Sequence, residues 1–275
     1  MNFSITILGS GAASPTGTRN CSAQALNFHG SKLLIDCAEG TQNRIRRHRL
    51  KLQSFETILI SHLHGDHFFG LPGLLSTMHL CGRTEPVCIV APQGARECIE
   101  TLFQLTGNHI SFAIDWREMA FAEGEQTVLE HRRYTVVAFP LDHTVPAYGF
   151  RIADTMNSIE RPFTYAYCCD TAYTEALLPH IAGADLLCTE CTFANELADL
   201  ALQRKHLTAG QAGLLAAKAS VGQLLLTHIS ARYREPDILL QQASAEFENC
   251  IMATDGMRLE VRSKRRVEAV QGIEG

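Results

Sequence analysis

A chain of 275 residues with 46% apolar side chains can build one large domain or two small ones around a sizeable core. Its formal net charge of -5 excludes a bulk polyanion binder, so any contact with nucleic acid must come from a local patch. There is no charged leader with a cleavage site, and no apolar run approaches the roughly 18 residues of a membrane span. With ten cysteines at irregular spacings, this points to a reduced, cytoplasmic protein.

In chain order, Phe3 to Leu8 reads as a strand that ends in a turn-rich loop, Gly9 to Asn20. Strands over Ala23 to Phe28 and Lys32 to Ile35 follow, joined at His29-Gly30-Ser31. A helix opening after Asp36-Cys37-Ala38-Glu39-Gly40-Thr41 carries Arg44, Arg46, Arg47, His48, Arg49 and Lys51. That cluster is either a solvated face or a phosphate-contacting patch. The apolar run Thr57 to Ile60 reads as a buried strand and leads into Ser61-His62-Leu63-His64-Gly65-Asp66-His67. Imidazole and carboxylate are the side chains that hold divalent metals. Chance produces such an H-x-H-x-D-H pattern in roughly one chain in a thousand of this composition. Four such groups on one loop suggest two ions.

Beyond the loop, the pattern predicts a helix over Leu71 to Leu80, a strand over Val87 to Val90 and a helix from Pro92 through Leu105. Strands are only weakly marked between Ser111 and Glu130. Four later strands each precede a polar group: Tyr134 to Phe139 before His143, Thr164 to Cys168 before Asp170, Ala184 to Cys188 before Glu190, and Gln223 to Leu226 before His228. Tyr148 to Ile152 continues the sheet. Helices are expected at Asn195 to Lys205, at Thr208 to Ser220 with Thr208 as N-cap, and at Pro236 to Phe247. Two short strands complete the core. The charged tail carries no apolar period, which sets a single domain over 1–262 and a flexible tail over 263–275. His62, His143, Asp170, Glu190 and His228 thus all sit just past predicted strands. In an α/β chain this gathers a site along a shared sheet edge, here with two sheets between helices.

At these residues the chain resembles the metallo-β-lactamase superfamily and, within it, the ribonuclease Z (tRNA 3′ endonuclease) group. The resemblance covers about residues 1–262. It rests on Leu8 to Gly11, Pro15 to Asn20, Asp36 to Gln42, Ser61 to Leu71, His143, Asp170-Thr171, Glu190 to Phe193 with His206, and Thr227 to Tyr233. It implies an αββα four-layer sandwich, two mixed sheets flanked by helices. It also implies two zinc ions per subunit, with manganese as the alternative metal. His62, His64 and His143 would hold one ion, Asp66, His67 and His228 the other, and Asp170 would bridge them.

The same resemblance makes a hydroxide between the ions the nucleophile, with Asp66 orienting it or taking its proton. His206, oriented by Glu190, would stabilise or protonate the leaving oxygen, and Arg19 and Arg232 would contact substrate. The implied reaction is cleavage of RNA, a tRNA precursor, on the 3′ side of the acceptor stem to leave a 3′-hydroxyl, by a homodimer. Three departures stand out. Thr189 replaces a frequent His, Cys169 replaces a frequent Gly, and only positions 144–169, 26 residues, separate His143 from Asp170. That interval is too short for the family's tRNA-clamping arm. It keeps open a small phosphodiester substrate, such as a cyclic nucleotide or a phosphocholine ester. The complete ligand set argues against a non-catalytic metal-binding module.

Overall fold

The structure, a computed structural model, describes residues 3–156, 162–261 and 267–270. Its first half contains β1 (Phe3–Gly9), β2 (Gly11–Ala12), β3 (Ala23–Phe28), β4 (Ser31–Ile35), α1 (Thr41–Arg47), β5 (Phe55–Leu59), α2 (Gly65–Phe68), α3 (Leu71–Leu80), β6 (Val87–Pro92), α4 (Ala95–Thr106) and β7 (Ile114–Met119). The second half contains β8 (Gln126–His131), β9 (Tyr134–Leu141), β10 (Ala147–Asp154), β11 (Thr164–Cys168), α5 (Leu178–Ile181), β12 (Leu186–Glu190), α6 (Ala198–Arg204), α7 (Ala209–Lys218), β13 (Leu224–Thr227), β14 (Ile229–Ser230), α8 (Asp237–Glu246), β15 (Cys250–Met252), β16 (Arg258–Val261) and β17 (Val267–Val270).

One sheet runs β17-β16-β1-β3-β4-β5-β6-β7 and the other β15-β13-β12-β11-β10-β9-β8. Both are mixed: the first is parallel from β4 to β7, the second from β11 to β15. Strands covered on both faces need apolar residues at consecutive positions. In β13, Leu225 enters the core between the sheets, while Leu224 and Leu226 pack outward under helices. The inter-sheet core is aromatic, with Phe3, Phe28, Tyr134, Phe150 and Phe163 fully or almost fully buried. Leu71, Leu74, Leu75 and Met78 of α3 cover the outer face of the first sheet, and Leu215 and Leu239 cover the second. These layers form the expected αββα sandwich.

Thr208 caps α7 in a full capping box: its side chain accepts from the Gln211 N–H, and Gln211 returns the contact to the Thr208 backbone. Two expectations shift. Pro92 ends β6, paired with Met119, and α4 starts only after Gly94 turns the chain at φ 94°. Within the stretch read as a loose tail, Val267–Val270 pairs antiparallel with β16 and buries Val267. The rest of that tail lies outside the described residues, apart from these four.

The metal-motif loop is seated by a close backbone approach. Gly70 N–H donates to the Cys37 carbonyl at 2.8 Å, and Cys37 N–H donates to the His67 carbonyl at 2.7 Å. A Cβ on Gly70 would stand 1.9 Å from the Ala38 carbonyl oxygen. Gly70→Ala should therefore cost about 2–3 kcal/mol, read as a lower urea midpoint at unchanged slope. An unchanged midpoint would show that the loop is not fixed by this contact.

Candidate metal centre

Parallel strands deliver their C-terminal ends to one edge. β5 delivers His62, β11 Asp170, β12 Glu190 and β13 His228, while His143 follows β9. A hydrogen bond from Tyr148 N–H to the Ser61 carbonyl, 2.9 Å, closes the two sheets on each other there. Past His62, the single turn of α2 raises Asp66 and His67 from the loop floor. The two-residue strands β2 and β14 pair above the site and bring Ala13 over it. Ala13 N–H donates to Asp66 Oδ2 at 2.7 Å.

The donor atoms fall into two groups. His64 Nδ1 lies 3.1 Å from His62 Nε2 and 3.2 Å from His143 Nε2. Asp170 Oδ2 lies 3.7 Å from His62 Nε2 and 3.8 Å from His143 Nε2. In the second group, His228 Nε2 lies 3.2 Å from His67 Nε2 and 3.3 Å from Asp66 Oδ2. Asp170 Oδ1 lies 3.3 Å from His228 Nε2 and 3.6 Å from His67 Nε2. The two oxygens of Asp170 therefore face different groups. Zinc bonds of about 2.0–2.1 Å at tetrahedral corners put neighbouring ligand atoms about 3.3 Å apart, so this donor set fits such ions.

The outer ring nitrogens decide which lone pairs point inward. His67 Nδ1 donates to Asp36 Oδ2 at 2.7 Å and His143 Nδ1 to the Lys205 carbonyl at 3.0 Å. Ser61 Oγ gives its hydrogen to Asp36 and so accepts from His62 Nδ1 at 3.0 Å. Thr192 Oγ1 gives its hydrogen to Glu190 Oε2 at 2.5 Å and accepts from His228 Nδ1 at 2.9 Å. With each Nδ1 committed as a donor, the Nε2 atoms of all four rings turn lone pairs toward the cluster. Burial would strip a second proton from His67, but Asp170, Asp36 and Asp66 push its pKa up to about 10. These carboxylates favour positive charge beside the ring, and a divalent cation binding at Nε2 would take the place of the proton there. Asp170 is held well below the usual carboxylate range: burial opposes this, and His228, His67, His62 and His206 outweigh burial.

His206 stands beside both groups. Its ring centroid is 5.2 Å from that of His143 and 5.5 Å from that of His228. Its Nδ1 is 2.8 Å from Glu190 Oε2, and Glu190 Oε1 accepts from Thr171 N–H at 2.7 Å. Burial lowers the His206 pKa, but the Glu190 charge and hydrogen bond, with Asp170 and Asp66, raise it to about 9. Glu190 thus favours the protonated ring, whose Nε2 is then able to donate.

The substrate-contact candidates are placed less directly. Arg19 Nη1 donates to the Tyr233 carbonyl at 3.0 Å. Arg232 lies over the Phe193 ring at 5.1 Å, and that ring is 5.9 Å from His206. In the basic α1 helix, Arg44 is withdrawn from any substrate role by Leu8 O and Asp255. The sequence reading also passed over Cys188 and Cys191, which stand at C-x-x-C spacing. Cys188 enters the inter-sheet core and Cys191 the helix-side core, so they face apart and form no redox pair.

Sequence reasoning gave no role to Asp36, Thr192 or the Lys205 carbonyl. A buried acid directly after a strand was the available signal for Asp36. Asp36→Asn should weaken metal binding about 10–100-fold while circular dichroism stays native, measured by competition with a chromogenic chelator. Unchanged affinity would mean that the His67–Asp36 contact does not orient the ring.

The β-lactamase superfamily domain matches residues 31–229. Ribonuclease Z of Bacteroides fragilis is 34% identical over 298 aligned positions, spanning 93% of this chain and 98% of that protein. Ribonuclease Z of Methanosarcina acetivorans is also 34% identical, over 94% of this chain and 97% of its own length. The crystal structure of human tRNase Z, short form, aligns with a TM-score of 0.81 at 30% identity, over 93% of this chain and 98% of that one. With the fold, the strand-end donor groups and these relatives in agreement, the chain belongs to the ribonuclease Z family of metal-dependent hydrolases in the metallo-β-lactamase superfamily.

Proposed function

We propose that the protein is a dinuclear-zinc phosphodiesterase that removes the 3′ trailer of precursor tRNA and leaves a 3′-hydroxyl. The observation that carries this reading is the pair of donor groups sharing Asp170, with the Glu190-held ring of His206 beside them. His62, His64, His143 and Asp170 Oδ2 would hold one ion. Asp66, His67, His228 and Asp170 Oδ1 would hold the other. When bound, the ions supply Lewis acidity that acidifies the attacking water and polarises the phosphoryl oxygen; manganese is the alternative to zinc.

The chain's own groups supply the rest. The Ala13 N–H fixes Asp66 Oδ2, which leaves Oδ1 to orient the water and take its proton. His206 donates from Nε2 to the departing O3′, which becomes the 3′-hydroxyl. Arg232, with the exposed Arg46 and Arg47 of α1 and Arg49 and Lys51 just beyond it, supplies phosphate contacts that an acidic protein otherwise lacks. Arg19 fixes the loop that carries Ala13 and borders the entrance for the RNA end.

All ten cysteines are free thiols, which supports a cytoplasmic setting, and among the described residues no helix is long and apolar enough to cross a membrane. A homodimer is supported by an apolar groove of about 900 Å³ lined by Phe69, Pro72, Leu102 and Leu105 between α3 and α4. Phe69 there is 67% exposed.

One observation favours a second substrate class. Only residues 155–163 connect β10 to β11, where the resemblance called for a protruding clamp. The test is to incubate zinc-loaded protein with precursor tRNA and, in parallel, with bis-p-nitrophenyl phosphate. One discrete tRNA product ending in a 3′-hydroxyl is expected. Turnover of the small diester with no discrete tRNA product would sink the tRNA reading in favour of a small phosphodiester.

His206→Ala should slow tRNA cleavage about 10²–10⁴-fold with both metals retained, measured by single-turnover kinetics and metal analysis. Metal loss would make His206 a ligand instead. Asp66→Ala should abolish turnover, and activity surviving at normal metal content would overturn the mechanism.

A further inference from the structure

Six of the seven donors around the centre are held in place by a neighbour, and the neighbours differ in kind. A carboxylate holds His67, hydroxyls hold His62 and His228, a carbonyl holds His143 and a backbone N–H holds Asp66. The bridging Asp170 is held by a thiol. Cys169 Sγ lies 3.0 Å from Asp170 Oδ1, and both residues are buried. Among the described residues, this is the one hydrogen bond given to that carboxylate from outside the histidine cluster. A carboxylate oxygen only accepts, so in this contact the thiol is the donor.

The contact is one-sided. Oδ1 is the oxygen that faces His67 and His228, whereas Oδ2 faces His62 and His143. A carboxylate on a short side chain can rotate about its last bond, and rotation exchanges a bridging pose for one in which both oxygens serve the same ion. A donor on Oδ1 opposes that rotation. A glycine, which the resemblance led one to expect at 169, has no side chain to do so.

We propose that Cys169 is a positioning residue that fixes the rotation of Asp170, so that Oδ1 addresses the ion held by Asp66, His67 and His228. The inference rests on the two-ion reading above. Its consequence is selective: the thiol supports the ion held by Asp66, His67 and His228 and leaves the other largely alone. It is not itself a ligand.

The test uses full-length protein stripped of metal by a chelator, as wild type, Cys169→Ala and Cys169→Ser. Each is titrated with Co²⁺ and followed by calorimetry and visible absorption. Wild type should bind two equivalents. Cys169→Ala should bind one equivalent like wild type and the other, as the second, about 10–100-fold more weakly, the scale of losing a partner to a metal ligand. Cys169→Ser, which is close to alanine in size but keeps a donor, should recover most of that loss. A packing role alone would lower the melting temperature of the stripped protein and would not separate the two equivalents.

Three results would overturn the proposal while leaving the two-ion reading intact: a second equivalent in Cys169→Ala as tight as wild type, equal weakening of both equivalents, or no recovery in Cys169→Ser. An intense sulfur-to-cobalt charge-transfer band in wild type that is missing from Cys169→Ser would overturn it too, by making the sulfur a ligand. Wild type binding fewer than two equivalents would remove both the inference and the reading beneath it. Two equivalents bound without tRNA cleavage would sink only the assigned substrate, with the behaviour of Cys169 then decided by the titration alone.

Discussion

The buried carboxylate of Asp36 is the constraint on which the rest of the site depends. It follows β4, has no exposure, and its backbone sits at φ 57°. Ser61 donates to it twice, from N at 2.7 Å and Oγ at 2.9 Å. Tyr167 Oη donates to it from the other sheet at 2.7 Å, and His67 Nδ1 completes the shell. A charge buried without such partners would be costly enough to unfold the region. With them, it pins the ends of β5 and β11 together and fixes the tautomer of one donor ring. One side chain thus makes both the contacts that join the two strand ends and the contact that orients the donor ring.

Strain is concentrated in the same place. Ala13, Asp36, Lys205 and His228 are non-glycine residues in the left-handed region, with φ of 62°, 57°, 55° and 55°. Each costs about 1–2 kcal/mol relative to ordinary backbone. Each also makes a contact that regular backbone would not: Ala13 N–H reaches Asp66, Asp36 reaches His67, the Lys205 carbonyl reaches His143, and His228 faces the ligands. The chain holds these conformations because the surrounding strands, buried on both faces, leave the loop ends no freedom to relax.

Much of this was legible in the residues, for identifiable reasons. Strands buried on both sides show as unbroken apolar runs, and their polar terminations at His62, Asp170, Glu190 and His228 mark the site edge. What escaped was whatever depends on partners distant in sequence. The Lys205 carbonyl has no side-chain signature, Thr192 looked like part of a motif rather than a relay, and two-residue strands such as β2 and β14 are too short to show a period. Pro92 reads as a helix start by local rule, but the ladder to β7 extends through it, and Gly94 supplies the turn. Arg44 stood in a cluster open to either a solvated face or a phosphate contact, because a charge run does not reveal that Asp255 lies 3.3 Å away.

The end of α6 couples the metal centre to the proton donor. Lys205 closes the helix in a left-handed conformation, its carbonyl accepts from His143, and its ammonium meets Asp142 at 2.7 Å, one residue before that histidine. The next residue along is His206, which Glu190 then fixes from the opposite side. A candidate metal-binding imidazole and a candidate general acid are therefore positioned by one helical turn, through consecutive residues. Misplacing reacting groups by about 1 Å can cost about 10²-fold in rate. Deriving both positions from a single rigid feature means that a displacement of α6 moves the donor and the ligand together, which preserves their separation better than two independent loops would.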